Sequence, residues 1–409
     1  MERPSSLEEC AQRAAASVDA EDVVALARRL VRIPSVVRPG GGEAAVAGFL
    51  AEELERRGFA VSWQEVSSGR PNVIADWDAG EEGFGLILEG HTDVVTEGDP
   101  AAWSCDPFGG EVRSGRLYGR GACDMKGGLA AAVAAVDAVR RTARGLRGRV
   151  RLAALVDEEG MMAGVKAFLR AGYAQGFHGA IVCEPEENEV CLVQKGALRV
   201  LATFRGRQAH GAMPYAGANP IPAAARFVLS LRDLQETEQR RCGPHPQLGL
   251  PWVTPTTVRA PAHGDAQFNV MAGEAQITVD LRTVPGQDHG ALREALQRAA
   301  SRAAQGEDGV EATTELVEDR PWTQTPPDAA VVRAVERAVE LVTGRPPRYG
   351  GVPGATDGTF LCAWAGLPVV VIGPGKREVP HQVDEYVEVA ELVEAARIYA
   401  AAVVYALGS

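Results

Sequence analysis

The sequence predicts a mixed α/β protein on a largely parallel sheet, with a smaller ferredoxin-like α+β domain inserted into it. Three observations carry this reading. GFGLILEG (83–90), VRLAALV (150–156) and GAIVCE (179–184) are near-continuous apolar runs, the pattern of strands buried on both faces. Segments with helical apolar spacing alternate with them, as α/β layers require. From about residue 193 to 315 the pattern changes to half-buried strands in the order strand–helix–strand–strand–helix–strand.

Each element has a local cause. EDVVALARRLVRI (21–33) has a helical apolar stripe and is stopped by Pro34. EAAVAGFLAEELERRG (43–58) is a second helix, ending at Gly58. FAVSW and NVIADW read as short strands. GGLAAAVAAVDAVRR (127–141) is a helix of small residues that can pack closely on a sheet. In the inserted domain, ALRVLATFRGR (197–207), TPTTVRA, AQITVDLRTV (275–284) and VEATTELVE (310–318) are strands. IPAAARFVLSLRDLQE (221–236) and ALREALQRAASRAA (291–304) are its helices. A helix over 328–343 and a strand over 367–373 then return the chain to the first domain.

Composition narrows the function. The 409 residues allow two or three domains, and 46% hydrophobic residues can bury a large core. A net charge of −12, with no basic stripe interleaved with aromatics, argues against nucleic acid and anionic membranes as partners. The first 20 residues hold no apolar leader core, and no run nears the roughly 18 apolar residues of a membrane span. The seven cysteines are scattered and form no CxxC, which predicts reduced thiols and a cytoplasmic protein.

The chemistry concentrates at the ends of apolar runs. LILEG precedes His91 and Asp93, LAALV precedes Glu158 and Glu159, AIVC precedes Glu184, and PVVVIGPG lies shortly before His381. Ligands of open α/β sheets gather at the carboxyl ends of strands. GRGACDMKGG (119–128) adds Asp124 in a glycine-rich turn before a helix. Imidazoles and carboxylates on one rim suit Zn²⁺ or a similar first-row divalent ion. In HTD, an extended backbone puts Asp93 on the same side as His91, where its carboxylate can orient the ring. Neighbouring side chains of the Glu158–Glu159 pair diverge, so one can hold metal while the other acts as a base.

Each signal has a plainer reading. A lone histidine after a strand is usually a loop residue, and acids are common at solvated helix starts. GRGACDMKGG is neither GxGxxG nor a Walker A loop, because Asp124 takes the third glycine position and GK[ST] is missing. Coincidence at the strand ends separates these segments from chance. His178, His245, His263 and His289 lie in Gly- or Pro-rich loops and read as surface residues.

GHTDVV, GRGACDMKGG, DEEG, CEP and PHQVDEYV stand in the order and spacing of the M20 metallopeptidases, which the chain resembles from about residue 20 to 405. GPGKREVPHQVDEYVEV and HPQLGLPWVTPTTV look most like the acetylornithine deacetylase and succinyl-diaminopimelate desuccinylase branch. The resemblance implies a catalytic di-metal domain from 1–192 and 316–409, and a lid and dimerisation domain from 193–315. It implies two divalent ions, zinc with cobalt or manganese as alternatives, bridged by Asp124. His91 and Glu184 would complete one ion, Glu159 and His381 the other. Asp93 would orient His91, and Glu158 would be the general base. His210, in HGAMPYAGANP, would steady the oxyanion in the partner subunit of a homodimer. Asn269 and Arg282 would contact a substrate carboxylate. This chain reads NVMAG after Phe268, where the family commonly has a proline soon after the asparagine.

The implied activity is removal of an acyl group from a small N-acyl amino acid. A carboxypeptidase or dipeptidase using the same site is the alternative. A metal-binding protein without activity is a third reading, disfavoured because holding metal does not need Glu158 beside Glu159.

Overall fold

The computed structural model describes residues 6–38, 42–80 and 82–408. It divides into one unit of Met1–Leu192, Thr325–Val352 and Thr356–Ser409, and a second of Val193–Gln324 with Pro353–Ala355. The second unit extends past the expected boundary at 315, because strand Glu311–Arg320 continues through a register shift between Leu316 and Glu318. Such a shift breaks the in–out alternation by which a strand is recognised in sequence.

In the first unit the sheet order is Ala60–Ser67, Arg70–Asp78, Gly148–Leu155, Phe84–His91, Gly179–Val182, Val369–Val371 and Val190–Gln194. Its centre is parallel: Phe84–His91 runs with both Gly148–Leu155 and Gly179–Val182, and the latter with Val369–Val371. These are the continuous apolar runs of the sequence, and they are buried on both faces. Helix Lys126–Thr142 lies in the core on one side. A Cβ on Gly128 would stand 2.0 Å from the Cys183 carbonyl oxygen, so glycine lets this helix touch the strand end that carries Glu184.

Four described helices have no counterpart in the sequence pattern: Leu7–Ala16, Ala163–Arg170, Gly358–Ala365 and Val389–Leu407. Leu7–Ala16 is fixed by a capping box in which Ser6 and Glu9 satisfy each other's backbone N–H groups. Val389–Leu407 is buried along most of its length, so its sequence is apolar almost all round and lacks an amphipathic stripe.

The second unit has the expected strand–helix alternation. Its antiparallel sheet runs Trp252–Arg259, Glu274–Thr283, Gly196–Arg205, Glu311–Arg320. Helices Ile221–Cys242 and His289–Ala304 pack on it through Phe227, Leu231, Leu292 and Leu296. Pro255 sits in Trp252–Arg259, an edge strand, where its missing N–H costs no inner ladder bond. Among the described residues no helix is long and apolar enough to cross a membrane.

Candidate metal centre

Three neighbouring parallel strands end on one edge of the first unit's sheet. His91 closes Phe84–His91, Glu158 and Glu159 follow Gly148–Leu155, and Glu184 follows Gly179–Val182. Asp124 comes from the turn before Lys126–Thr142, and His381 from the loop after Val369–Val371. The structure brings all six side chains together. His91 Nε2 lies 3.0 Å from Asp124 Oδ1 and 3.6 Å from Glu184 Oε1. His381 Nε2 lies 2.9 Å from Glu159 Oε1 and 3.3 Å from Asp124 Oδ2. The two oxygens of Asp124 therefore face two different imidazoles.

The tautomer of His91 follows from its other nitrogen. Nδ1 lies 2.9 Å from the Asp93 carbonyl oxygen, which can only accept, so Nδ1 carries the proton. In the neutral ring the Nε2 lone pair then points at two carboxylates. Protons or divalent cations must neutralise such a donor set. Two groups, His91–Asp124–Glu159 and His91–Glu158–Glu184, have ligand atoms all within 4.8 Å of one another and could hold a metal ion. Nitrogen and oxygen donors in this mixture fit Zn²⁺, Co²⁺ or Mn²⁺.

The electrostatics show the same crowding. Burial would depress the His91 imidazole, but Asp124, Glu184 and Asp93 carry its pKa well above the usual value. Hydrogen bonds that the protonated ring donates to Asp124 and Glu159 raise His381 to about 10. Burial pushes Glu184 well up, helped by the charge of Asp124. Asp124 resists its own burial and is held below the usual range by His381 and His91.

Asp93 differs in detail from expectation. It meets Nδ1 of His91 through its backbone carbonyl, while its carboxylate stands 3.7 Å away. That carboxylate accepts from the backbone N–H groups of Glu158 at 3.2 Å and Glu159 at 3.0 Å. These N–H groups follow the end of a strand in a buried turn and need an acceptor. Asp93 thus fixes the two acids as well as the ring.

Asp157 is a structural residue. Its backbone is left-handed (φ 68°), and its Oδ2 accepts from Met161 and from Ala163, the first residue of helix Ala163–Arg170. Its Oδ1 pairs with Arg70 at 2.8 Å, a partner no local pattern in the sequence announces. Glu89 also went unread. It is 1% exposed on the same strand face as His91, and burial, then the neighbouring Asp357 carboxyl, lift its pKa well above the usual value. The period of two could have flagged it.

In the second unit the structure joins two of the expected residues. The ribbon of Ala209–His210 with Val270–Met271 places His210 opposite Val270, and Gly211 N donates to the Asn269 carbonyl at 2.7 Å. His210 is exposed, and its Nδ1 accepts from Ala212 N at 3.0 Å, which leaves the proton of the neutral ring on Nε2. Arg282 Nε is engaged with Asp280 Oδ1 at 2.7 Å, and Asp280 also takes Arg199. His289 is no surface residue: it bridges Thr283 Oγ1 at 2.7 Å and Asp319 Oδ1 at 2.6 Å, with 11% of its side chain exposed.

The profile described as Peptidase family M20/M25/M40 matches residues 87–405. A succinyl-diaminopimelate desuccinylase of Cereibacter sphaeroides is 35% identical over 380 residues, covering 90% of this chain and 94% of that protein. One from Rhodospirillum centenum is 33% identical over 390 residues, covering 91% and 94%. Among solved structures, the dipeptidase Dug1p of Saccharomyces cerevisiae superposes with a TM-score of 0.77 at 16% identity, covering 98% of this chain and 99% of that one. An M20 family metallo-carboxypeptidase of Sulfolobus solfataricus has a TM-score of 0.77 at 18% identity, covering 94% and 99%.

Proposed function

The chain belongs to peptidase family M20/M25/M40, and from that premise we propose that it removes an acyl group from an N-acyl amino acid by hydrolysing the amide bond. The observation that carries this reading is Asp124 facing both His91 and His381, with Glu158 and Glu159 gripped side by side by Asp93. In this reading His91, Glu184 and Asp124 would hold one divalent ion, and Asp124, Glu159 and His381 a second, with zinc placed first and cobalt or manganese as alternatives. The bound ions would polarise the amide carbonyl and bring the pKa of a water towards roughly 7.

The protein's own groups do the rest. Glu158 takes the proton from the attacking water and returns it to the leaving amine, a role worth about 10²–10⁴-fold. His210 donates from Nε2 to the developing oxyanion; one such donor commonly accounts for about 3–4 kcal/mol. Asn269 and Arg282 bind the carboxylate of the substrate, Arg282 by charge-assisted hydrogen bonds.

His210 acts on the partner subunit of a homodimer. The exposed Ile221 and Leu229 of helix Ile221–Cys242, and Trp252 and Val258 of the edge strand, support such an association. The seven unpaired cysteines support action in the cytoplasm.

The succinyl-diaminopimelate desuccinylase relatives make succinyl the first acyl group to test. A panel of succinyl-, acetyl- and formyl-amino acids with dipeptides, run on wild type and Glu158→Ala, tests the proposal. The expected result is turnover of N-acyl amino acids, lost in the variant with metal retained. Turnover of dipeptides alone would move the assignment to a peptidase. Equal activity in both proteins would remove Glu158 as the base.

A further inference from the structure

One buried carboxylate ties together the backbones that carry Asp124 and His381. Glu385 leads into strand Tyr386–Glu388, whose pairing with Arg116–Tyr118 brings it beside the start of the GRGACD loop. It is 0% exposed. Its Oε1 accepts from the N–H groups of Gly121 at 3.0 Å, Cys123 at 2.9 Å and Asp124 at 3.0 Å. Its Oε2 pairs with the guanidinium of Arg120, itself 2% exposed. Arg120 Nη2 reaches the His381 carbonyl at 3.4 Å, and the Glu385 carbonyl accepts from Gly119 N at 2.9 Å.

We infer that Glu385 and Arg120 are a positioning pair that sets the distance between Asp124 and His381, and so the affinity and geometry of the ion these two share with Glu159. This rests on the metal-centre reading above. The carboxylate is suited to the task because it offers acceptors alone. A glutamine would turn an NH₂ donor towards either Arg120 or the backbone N–H groups, and neither can accept it. Groups that orient metal ligands commonly contribute about 10–100-fold to metal affinity when removed. A pair that only holds the fold would change stability and leave the bound ion's surroundings alone.

The test uses the full-length protein, with Glu385→Gln and the milder Arg120→Lys. Zinc affinity is measured against a competing chelator, and the visible absorption spectrum of the Co²⁺-loaded protein reports ligand geometry. Glu385→Gln is expected to bind at least one ion about 10–100-fold more weakly and to alter the Co²⁺ spectrum, with Arg120→Lys intermediate. Should Glu385→Gln fail to fold, Arg120→Lys alone carries the same comparison. Wild-type affinities and spectra in the folded variants would overturn the inference while leaving the metal centre standing. A wild type that takes up no ion would overturn both.

Discussion

Two of the charge clusters in the first unit are built oppositely. Around Arg57, the acids Asp22, Glu53 and Asp137 are closed by guanidinium groups: Arg57 meets Asp22 at 2.7 Å, Glu53 at 2.8 Å and Asp137 at 3.5 Å. Arg29, Arg56, Arg140 and Arg141 add to that set. At the strand ends, Asp124, Glu159 and Glu184 have imidazoles as their ion partners, and acids outnumber bases. A cluster whose acids are all answered by its own guanidinium groups is architecture. A cluster that concentrates negative charge at a rim needs something from outside, and that is the mark of a site.

The contrast can be broken from either side. The largest effect is expected from Glu158→Gln, which should lower kcat by about 10²–10⁴-fold. Bound metal and thermal midpoint should stay unchanged. In the arginine-closed cluster, Arg57→Met removes a guanidinium shared by three acids, two of them buried. Breaking a buried pair typically costs about 3–5 kcal/mol. Urea denaturation should show that loss, with kcat per folded molecule unaltered. Chelation is expected to lower the thermal midpoint reversibly, since an ion at 100 times its Kd stabilises by about 2.7 kcal/mol. It should leave the stability difference between wild type and Arg57→Met unchanged. The smallest effect belongs to Asp157→Ala, which removes the acceptor for the start of helix Ala163–Arg170 and one of the two carboxylates on Arg70, which keeps Glu43. A lost cap costs about 1 kcal/mol, read as a small shift in midpoint. The neighbouring acids Asp157 and Glu158 should thus give different phenotypes, and a Glu158 variant that merely lost stability would erase the distinction.

Much of this was legible in the sequence, for physical reasons. A parallel sheet buried on both faces writes itself as continuous apolar runs, and acids placed after such runs must lie on one edge. That gathered His91, Glu158, Glu159 and Glu184, while Asp124, in a glycine-rich turn, and His381, several residues past its run, joined them through the motif order shared with the M20 metallopeptidases. Contacts between distant segments were not legible. Arg70 for Asp157, Arg120 with Glu385, and Thr283–His289–Asp319 depend on how strands register, which no local spacing reveals. Asp93 was read correctly as near His91, but the acceptor facing the ring is its carbonyl, a choice made by backbone bending. The buried helix Val389–Leu407 was hidden because burial on all sides removes the periodic signature.

The central claim is that the charge excess at the strand ends is matched by metal bridged through Asp124. Equilibrium dialysis of wild type and Asp124→Ala against buffered zinc, with bound ions counted by elemental mass spectrometry, tests it most directly. Wild type is expected to retain about two ions per chain, and the variant to lose at least one. Wild type without zinc, or equal zinc in both proteins, would contradict the account.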